Sequence, residues 1–472
     1  MDKYEVKNIY KKIKKEHVIT VKVPGSKSIT NRALLIASCA KGKTTLNGVL
    51  FSDDSRHFME CEKKLGIEIS IDEEKKCVSV SGTGGNFPNR IADLYVGSAG
   101  TAARFLSAAL GAAGGRYFLD SSEQMKKRPM APLLDSLSEL GCKIDYSESA
   151  GHFPFTLDSE GFKKSRISVN IDSSSQFLSA LLISAVLCND GLTVDVTGSH
   201  GMAYAEMTVR MMEQFGVKVE KKSLSDVSDT DSTDSSSAAS LSYEIPASAK
   251  YTAMDYDIEP DASAAAYFYA MCPLLGVPVS VPGIRRSSLQ GDVRFLDILV
   301  RMGCTLKEYD ELDHDLKERF EKNTGAGSFS GRDLVLLPPA DGKYHGITVD
   351  MSSCSDQAIT LAAIAPFADT PTTITGIGHI RLQESDRLSA IESELSRMGI
   401  KTESGEDFIK IFPGNPKSAV IQTYDDHRMA MGFALAGLRA EGIVIDDPLC
   451  CAKTFENYFE VLEELIRSMS NP

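Results

Sequence analysis

One short pattern recurs six times along this chain. A polar or turn-forming step runs into a helix of small residues, usually with Arg or Gln in its first turns. The copies are Gly25-Ser26-Lys27-Ser28-Ile29-Thr30-Asn31-Arg32, Gly97-Ser98-Ala99-Gly100-Thr101-Ala102-Ala103-Arg104, Asp172-Ser173-Ser174-Ser175-Gln176, Asp261-Ala262-Ser263-Ala264-Ala265, Ser353-Cys354-Ser355-Asp356-Gln357 and Asp425-Asp426-His427-Arg428. Aligned at Arg32, Arg104, Gln176, Ala265, Gln357 and Arg428, they stand 72, 72, 89, 92 and 71 residues apart. The two long spacings contain segments that read as surface insertions: 222–242, dominated by Ser, Asp and Thr, and 308–332, rich in charge and Gly. A period near 72 residues is longer than the solenoid range of about 20–50, so each copy predicts a small α/β subfold.

Each subfold reads as strand, helix, strand, helix, strand. In the first, residues 18–23 alternate as a strand and Ser28 is placed to cap a helix through Ser38. Residues 44–49 read as a strand, 55–65 as a second helix with Gly66 at its C-terminal end, and 67–71 and 77–81 as returning strands. The sixth copy follows the same order. The phrases Leu140-Gly141-Cys142, Phe215-Gly216-Val217, Met302-Gly303-Cys304 and Met398-Gly399-Ile400 recur after the second helix, which supports the repeat independently.

A net charge of −14 argues against a nucleic-acid or anionic-membrane surface as the partner. It leaves room for a small anionic ligand, because helix N-termini and local cations set the field inside a cleft. The ten cysteines form no Cys-x-x-Cys and no zinc-like cluster with His, so they read as reduced thiols. The longest apolar stretch, 177–188, is too short for a membrane span, and residues 1–24 lack the apolar run of a signal peptide. These features point to the cytoplasm.

The first half concentrates groups that suit phosphate oxygens: Lys27, Ser28 and Arg32 at one helix start, Arg104 at the next, Lys126-Lys127-Arg128 beside a turn, and Ser174-Ser175-Gln176, with Tyr204 and Arg210 following. The stretch 37–44 superficially resembles a P-loop, but its first Gly is replaced by Ala37 and it follows a helix rather than opening one. The second half sets carboxylates beside cations: Asp356, Glu384-Ser385-Asp386-Arg387, Asp425-Asp426-His427-Arg428 and Lys453. Proton transfer needs that mixture. Read locally, Asp386-Arg387 is equally an ion pair at a helix start.

With these residues in place the chain resembles the 5-enolpyruvylshikimate-3-phosphate synthases, from about Ile19 to Phe459. The most specific matches are Pro24-Gly25-Ser26-Lys27-Ser28 with Asn31-Arg32, Ala99-Gly100-Thr101 with Arg104, Lys127-Arg128-Pro129, Ser174-Ser175-Gln176, Gln290-Gly291-Asp292-Val293-Arg294-Phe295, Glu384-Ser385-Asp386-Arg387, Asp426-His427-Arg428-Met429-Ala430 and Ala452-Lys453-Thr454-Phe455. The resemblance implies an α/β fold of two similar globular domains, each of three βαβαββ units arranged as an inside-out α/β barrel, joined by a two-strand hinge. It places one domain at 25–258 and the other at 1–24 with 259–472.

It further implies transfer of an enolpyruvyl group from phosphoenolpyruvate to shikimate-3-phosphate, with no metal or organic cofactor, by a monomer. Carried over by position, Lys27, Ser28, Arg32, Ser174, Ser175, Gln176, Tyr204, Asp356 and Gln383 would hold shikimate-3-phosphate. Lys27, Gly100, Arg128, Gln176, Arg387, Arg428 and Lys453 would hold phosphoenolpyruvate, and Asp356, Glu384 and Lys27 would carry the chemistry. The chain departs from the family at Gln383, where Lys is common, and at Gly201-Met202-Ala203-Tyr204, which replaces Ser-(Lys/Arg)-Pro-Tyr. Ser98 and Gln124 stand at common Asn and Arg positions. A UDP-N-acetylglucosamine enolpyruvyl transferase would carry Asn after its first Lys and a Cys within 114–128; this chain has Ser28 and no such Cys. A non-catalytic anion-binding repeat protein is the alternative of a different class.

Overall fold

The computed structural model of the chain describes residues 3–14, 16–198, 201–223, 241–324 and 328–470. The chain divides into two compact units, Lys27–Ile258 and Met1–Ser26 with Glu259–Pro472. Each unit contains three of the six recurring motifs, and each motif opens a buried helix.

In the first unit those helices are Lys27–Cys39, Gly100–Ala113 and Gln176–Ser184. In the second they are Ala262–Leu275, Ala358–Ile364 and His427–Gly437. Within each unit the three pack pairwise on one another. Every residue of His427–Gly437 is buried, as is all of Gly100–Ala113 except Ala113. A helix covered on all sides has no polar face to place, and small side chains let three such helices approach closely. That requirement is why Ala, Gly and Ser dominate the motif. The alternate helices are amphipathic instead: Asp53–Lys64 buries Phe58, Met59 and Cys61 and starts with a reciprocal cap between Ser52 and Ser55.

Among the described residues six small sheets cover these helices, three in each unit. In the regular pattern the first strand runs parallel to the second, and two antiparallel strands follow. Ile91–Tyr95 lies parallel to Gly115–Asp120, which pairs antiparallel with Phe155–Ser159, and that strand with Lys143–Tyr146. Arg166–Asn170, Leu192–Thr197, Leu241–Ile245 and Glu220–Ser223 repeat the order, as do Thr348–Asp350, Thr372–Thr375, Phe408–Ile411 and Thr402–Ser404. The glycines that follow the second helix, including Gly141, Gly216, Gly303 and Gly399, all take positive φ.

Three sheets depart from the sequence reading. Ile19–Thr20 does not open the first subfold; it pairs parallel with Val279–Ser280 in the fourth. The parallel partner of Lys41–Asn47 is instead Asp255–Asp257. Burial decides the exchange, since Ile19 and Val21 enter the same apolar core as Val279 and Val281. The two crossing segments bond to each other: Ser26 N–H to the Glu259 carbonyl at 2.8 Å and Asp261 N–H to the Pro24 carbonyl at 2.9 Å. The last sheet has three strands, Ala419–Ile421 parallel to Ile443–Ile445 and the N-terminal Tyr4–Glu5 antiparallel beside it, so the sixth copy does not complete itself in sequence order.

The first helix begins at Lys27, which puts Ser28 inside its first turn rather than at its cap. Segment 308–332 is no loose insertion. It holds the helix His314–Thr324, whose Leu316 and Phe320 pack with Tyr309, Leu312, Val18 and Val335 in a separate core. Apolar residues at four-residue spacing bury one face, which the high charge content hides. Most of the Ser/Asp-rich stretch, 224–240, lies outside the described residues; its flanks, Glu220–Ser223 and Leu241–Ile245, pair antiparallel. All ten cysteines are free thiols, eight of them buried. Among the described residues no helix is long and apolar enough to cross a membrane, and no group of His, Cys, Asp and Glu is disposed to hold a metal ion.

Candidate functional site

In the unit Met1–Ser26 with Glu259–Pro472, Asp356, Glu384, Asp426, Arg428 and Lys453 form one network around Arg387. This residue opens the helix Arg387–Arg397, capped by Asp386, which accepts the Ser389 N–H at 3.0 Å and the Arg381 guanidinium. Asp386 is therefore occupied, and the local ion pair with Arg387 does not form. Arg387 turns inward, 1% exposed, and its Nε donates to Asp426 Oδ2 at 2.8 Å. Its Nη1 donates to Asp356 Oδ1 at 2.9 Å and also to Gln383 Oε1, while Nη2 donates to Glu384 Oε2 at 2.8 Å. Burial on its own would lower the Arg387 pKa, but Asp426, Glu384 and Asp356 outweigh it and raise it, so the guanidinium stays charged.

Asp356 sits in the tight turn Ser355–Gln357 ahead of its helix, and its second oxygen accepts Arg428 Nη2 at 2.7 Å. Glu384 accepts Arg387 on one oxygen and faces Lys453 Nζ at 3.6 Å on the other. Three cations thus meet three carboxylates in a pocket where side-chain exposure is at most 16%. Charges buried to this degree are tolerated only when paired and hydrogen-bonded. An incoming phosphate or carboxylate can exchange for a protein carboxylate on the same donors, through charge-assisted bonds.

Three residues of this network, one of them noted in the sequence only as a carboxylate beside cations, are absent from the predicted ligand and catalytic sets. Asp426 grips Arg387 and, through its other oxygen, caps the Arg428 N–H at 3.0 Å. Ser263 donates to Asp292 Oδ2 at 2.5 Å and lies 3.5 Å from Arg428 Nη2. Burial, then the nearby Asp356 charge, pushes Asp292 up to about 6. All three lie inside recurring or matched motifs, which was the available signal; their partners are remote in sequence, which is why they escaped.

In the unit Lys27–Ile258, Arg32 is 1% exposed and bound by protein groups from three helices. Its Nε donates to Thr208 Oγ1 at 2.7 Å, Nη1 to the Ser28 carbonyl at 2.9 Å, and Nη2 to Ser179 Oγ and the Tyr204 carbonyl, both at 3.3 Å. Burial lowers its pKa to about 10. Arg32 therefore ties Ser28, Ser179, Tyr204 and Thr208 together. Ser179 and Thr208 are buried hydroxyls on the inward faces of their helices, a weak signal that the sequence reading passed over.

Lys27 Nζ lies 3.5 Å from the buried Asp54 carboxylate. Gly100 is pressed by two guanidiniums: a Cβ there would stand 2.8 Å from both Arg104 Nη1 and Arg128 Nη1. Ser174 Oγ accepts the Gln176 N–H at 3.2 Å, while Gln176 Oε1 is buried without a hydrogen-bond partner among the described residues. Beside it, Gly201 starts the helix Met202–Gln214 at φ 64°, and a Cβ there would lie 2.6 Å from Ser175 Oγ. The departure from Ser at position 201 thus has a steric counterpart: the space a side chain would take is filled by Ser175. The structure gathers Ser28, Arg32 and Tyr204 into one cluster, Gly100 and Arg128 into a second, and Ser175 with Gly201 into a third.

A family model described as EPSP synthase (3-phosphoshikimate 1-carboxyvinyltransferase) matches residues 12–462. Similar curated proteins include 3-phosphoshikimate 1-carboxyvinyltransferases from Nostoc punctiforme, 39% identical with 93% of this chain and 94% of that one covered, and from Ralstonia pickettii, 40% identical with 93% and 95% covered. Among solved structures, an EPSP synthase from Acinetobacter baumannii superposes with a TM-score of 0.73 over 98% of both chains at 22% identity. The enolpyruvyl transferase NikO from Streptomyces tendae gives 0.67 at 16% identity over 98% and 96%. These two likenesses establish a shared two-domain α/β fold.

Proposed function

Because this chain belongs to the EPSP synthase family, we propose that it holds the substrates of that family's reaction through the residues singled out in its sequence. The chain is a 3-phosphoshikimate 1-carboxyvinyltransferase of the shikimate pathway: it moves the enolpyruvyl group of phosphoenolpyruvate onto the 5-hydroxyl of shikimate-3-phosphate and releases phosphate. Carbon 3 of phosphoenolpyruvate gains a proton while the 5-hydroxyl oxygen bonds to carbon 2 and loses its own. The tetrahedral adduct then gives up a proton from carbon 3 and expels phosphate, restoring the double bond.

In our assignment Ser28, Ser174, Ser175, Gln176 and Tyr204 hold shikimate-3-phosphate, with Gln383 contributing an amide where a cation is common. Arg32 sets Ser28 and Tyr204 in place and reaches the ligand through its remaining Nη1 hydrogen. Lys27, Arg128, Gln176, Arg387, Arg428 and Lys453 hold phosphoenolpyruvate, with Gly100 leaving the room Arg128 requires. Asp356 takes up the 5-hydroxyl, the role of a carboxylate placed to accept a hydroxyl proton. The single proton that carbon 3 gains comes from one of two candidate donors, Glu384 or Lys27. Fixed guanidinium and ammonium groups stabilise the charge that develops on the departing phosphate. We further assign the protein as a cytoplasmic monomer.

The observation that carries this assignment is the Arg387 network, in which Asp356 bridges Arg387 and Arg428 while Glu384 spans Arg387 and Lys453. It supports the assignment because the proposed hydroxyl acceptor and a proposed proton donor share the cations assigned to the anionic substrate. The test is phosphate release with each substrate omitted in turn, and with UDP-N-acetylglucosamine as a substitute acceptor. Release requiring both phosphoenolpyruvate and shikimate-3-phosphate is the expected result; release with the sugar nucleotide alone as acceptor overturns the assignment.

A further inference from the structure

Tyr424 and Asp425 are two consecutive non-glycine residues with φ of 57° and 53°. They form the centre of a turn closed by the Asp426 N–H on the Thr423 carbonyl at 2.9 Å. Positive φ at both central positions suits Asn-Gly or Gly-Gly; an aromatic residue there is strained. A conformation of this kind persists only where its surroundings impose it.

The surroundings are supplied by Glu394, whose side chain is fully buried. Its Oε1 accepts the Tyr424 hydroxyl at 2.7 Å, and its Oε2 accepts the Gln422 N–H at 3.1 Å and Arg397 Nε at 3.0 Å. Glu394 stands two helical turns after Arg387 on the same helix, so the two share a face. One end of that face holds the residues entering the turn. The other end, through Arg387, holds Asp426 as the chain leaves it.

We propose that Glu394 is a positioning residue: through Tyr424 and Gln422 it holds the left-handed turn that sets Asp426 and Arg428 against Arg387 and Asp356. The proposal rests on the assignment of Arg387 and Arg428 to phosphoenolpyruvate.

Two substitutions at Tyr424 separate positioning from plain packing. Tyr424→Phe removes the hydroxyl and keeps the strained backbone; Tyr424→Gly removes both. The side chain is 42% exposed, so neither opens a core cavity. Tyr424→Phe raises the KM for phosphoenolpyruvate about fivefold with kcat little changed, and Tyr424→Gly returns it to within about twofold of the parent, because glycine adopts the turn unaided. A parent-like KM in Tyr424→Phe, or a larger loss in Tyr424→Gly than in Tyr424→Phe, overturns the proposal. Arg428→Lys is measured alongside. If it raises the KM for phosphoenolpyruvate while Tyr424→Phe does not, the positioning role alone fails. If Arg428→Lys leaves that KM unchanged, the ligand assignment fails and the proposal with it.

Discussion

Asp356 holds two arginines at once, Arg387 on Oδ1 at 2.9 Å and Arg428 on Oδ2 at 2.7 Å. Under the proposed assignment it competes with an anionic substrate for the same two donors, while offering the oxygen that the acceptor hydroxyl needs. Replacing its charge separates the two effects.

Asp356→Asn lowers kcat by about 10²–10⁴-fold, the usual span for a lost proton-handling group, and leaves the KM for phosphoenolpyruvate equal or lower. Steady-state phosphate release at saturating shikimate-3-phosphate reads both constants. A raised KM with kcat preserved would show that Asp356 only organises the arginines.

Glu62 gives a pH signature of stability that is independent of turnover. It is buried against the helix Lys27–Cys39, where Ser38 Oγ donates to Oε1 at 2.6 Å, and burial raises its pKa from 4.5 to about 8. Folded Glu62 is protonated over a range in which unfolded Glu62 is ionised. The folded state therefore binds more protons, and its stability falls as pH rises from about 4.5 to about 8. Glu62→Gln keeps a partner for Ser38 and removes the titration. Urea unfolding across that window should show the variant gaining on the parent with pH, by on the order of a few kcal/mol at the alkaline end. A pH-independent difference would refute the neutral buried carboxyl.

Gly201→Ala tests the crowding at Ser175. The new Cβ would lie 2.6 Å from Ser175 Oγ at a backbone φ of 64°. The expected result is a loss of about 1 kcal/mol in stability and a KM for shikimate-3-phosphate raised by about 3–10-fold, because Ser175 is displaced. An unchanged KM would take Ser175 out of the ligand set.

Gln383→Lys restores the cation common at this position in the family. Its KM for shikimate-3-phosphate should fall by about tenfold, the equivalent of one charge-assisted hydrogen bond. Equal KM values in the variant and the parent would mean that Gln383 costs no affinity.

The sixfold recurrence was legible because close-packed, fully buried helices demand small residues, and that demand leaves a compositional mark on every copy. Strand ownership was not. Ile19–Thr20 and Asp255–Asp257 are too short to carry a pattern that selects a sheet, so only the core they enter reveals their places. The same limit hid Tyr4–Glu5 at the edge of the last sheet. In the site, Lys27, Asp356, Glu384, Arg387 and Arg428 stood out by residue type at or just before helix starts, and Lys453 by its motif. Their pairing did not, because the nearest acid to Arg387 in sequence is Asp386 and its partner in space is Asp426, thirty-nine residues on. Helix His314–Thr324 was lost in a charged stretch whose apolar face is only Leu316 and Phe320 wide.

The pairing of Tyr4–Glu5 with Ile443–Ile445 sets a schedule for biosynthesis. The unit Lys27–Ile258 is one continuous piece of chain and can collapse on a ribosome while the remainder is still being made. Tyr4–Glu5 must instead wait for a partner far along the chain, since their sheet does not exist until residue 445 has left the exit tunnel. The later unit thus closes only after residue 445 is made, and ribosomes stalled before that point would carry a folded unit Lys27–Ile258 beside an unpaired Tyr4–Glu5 strand.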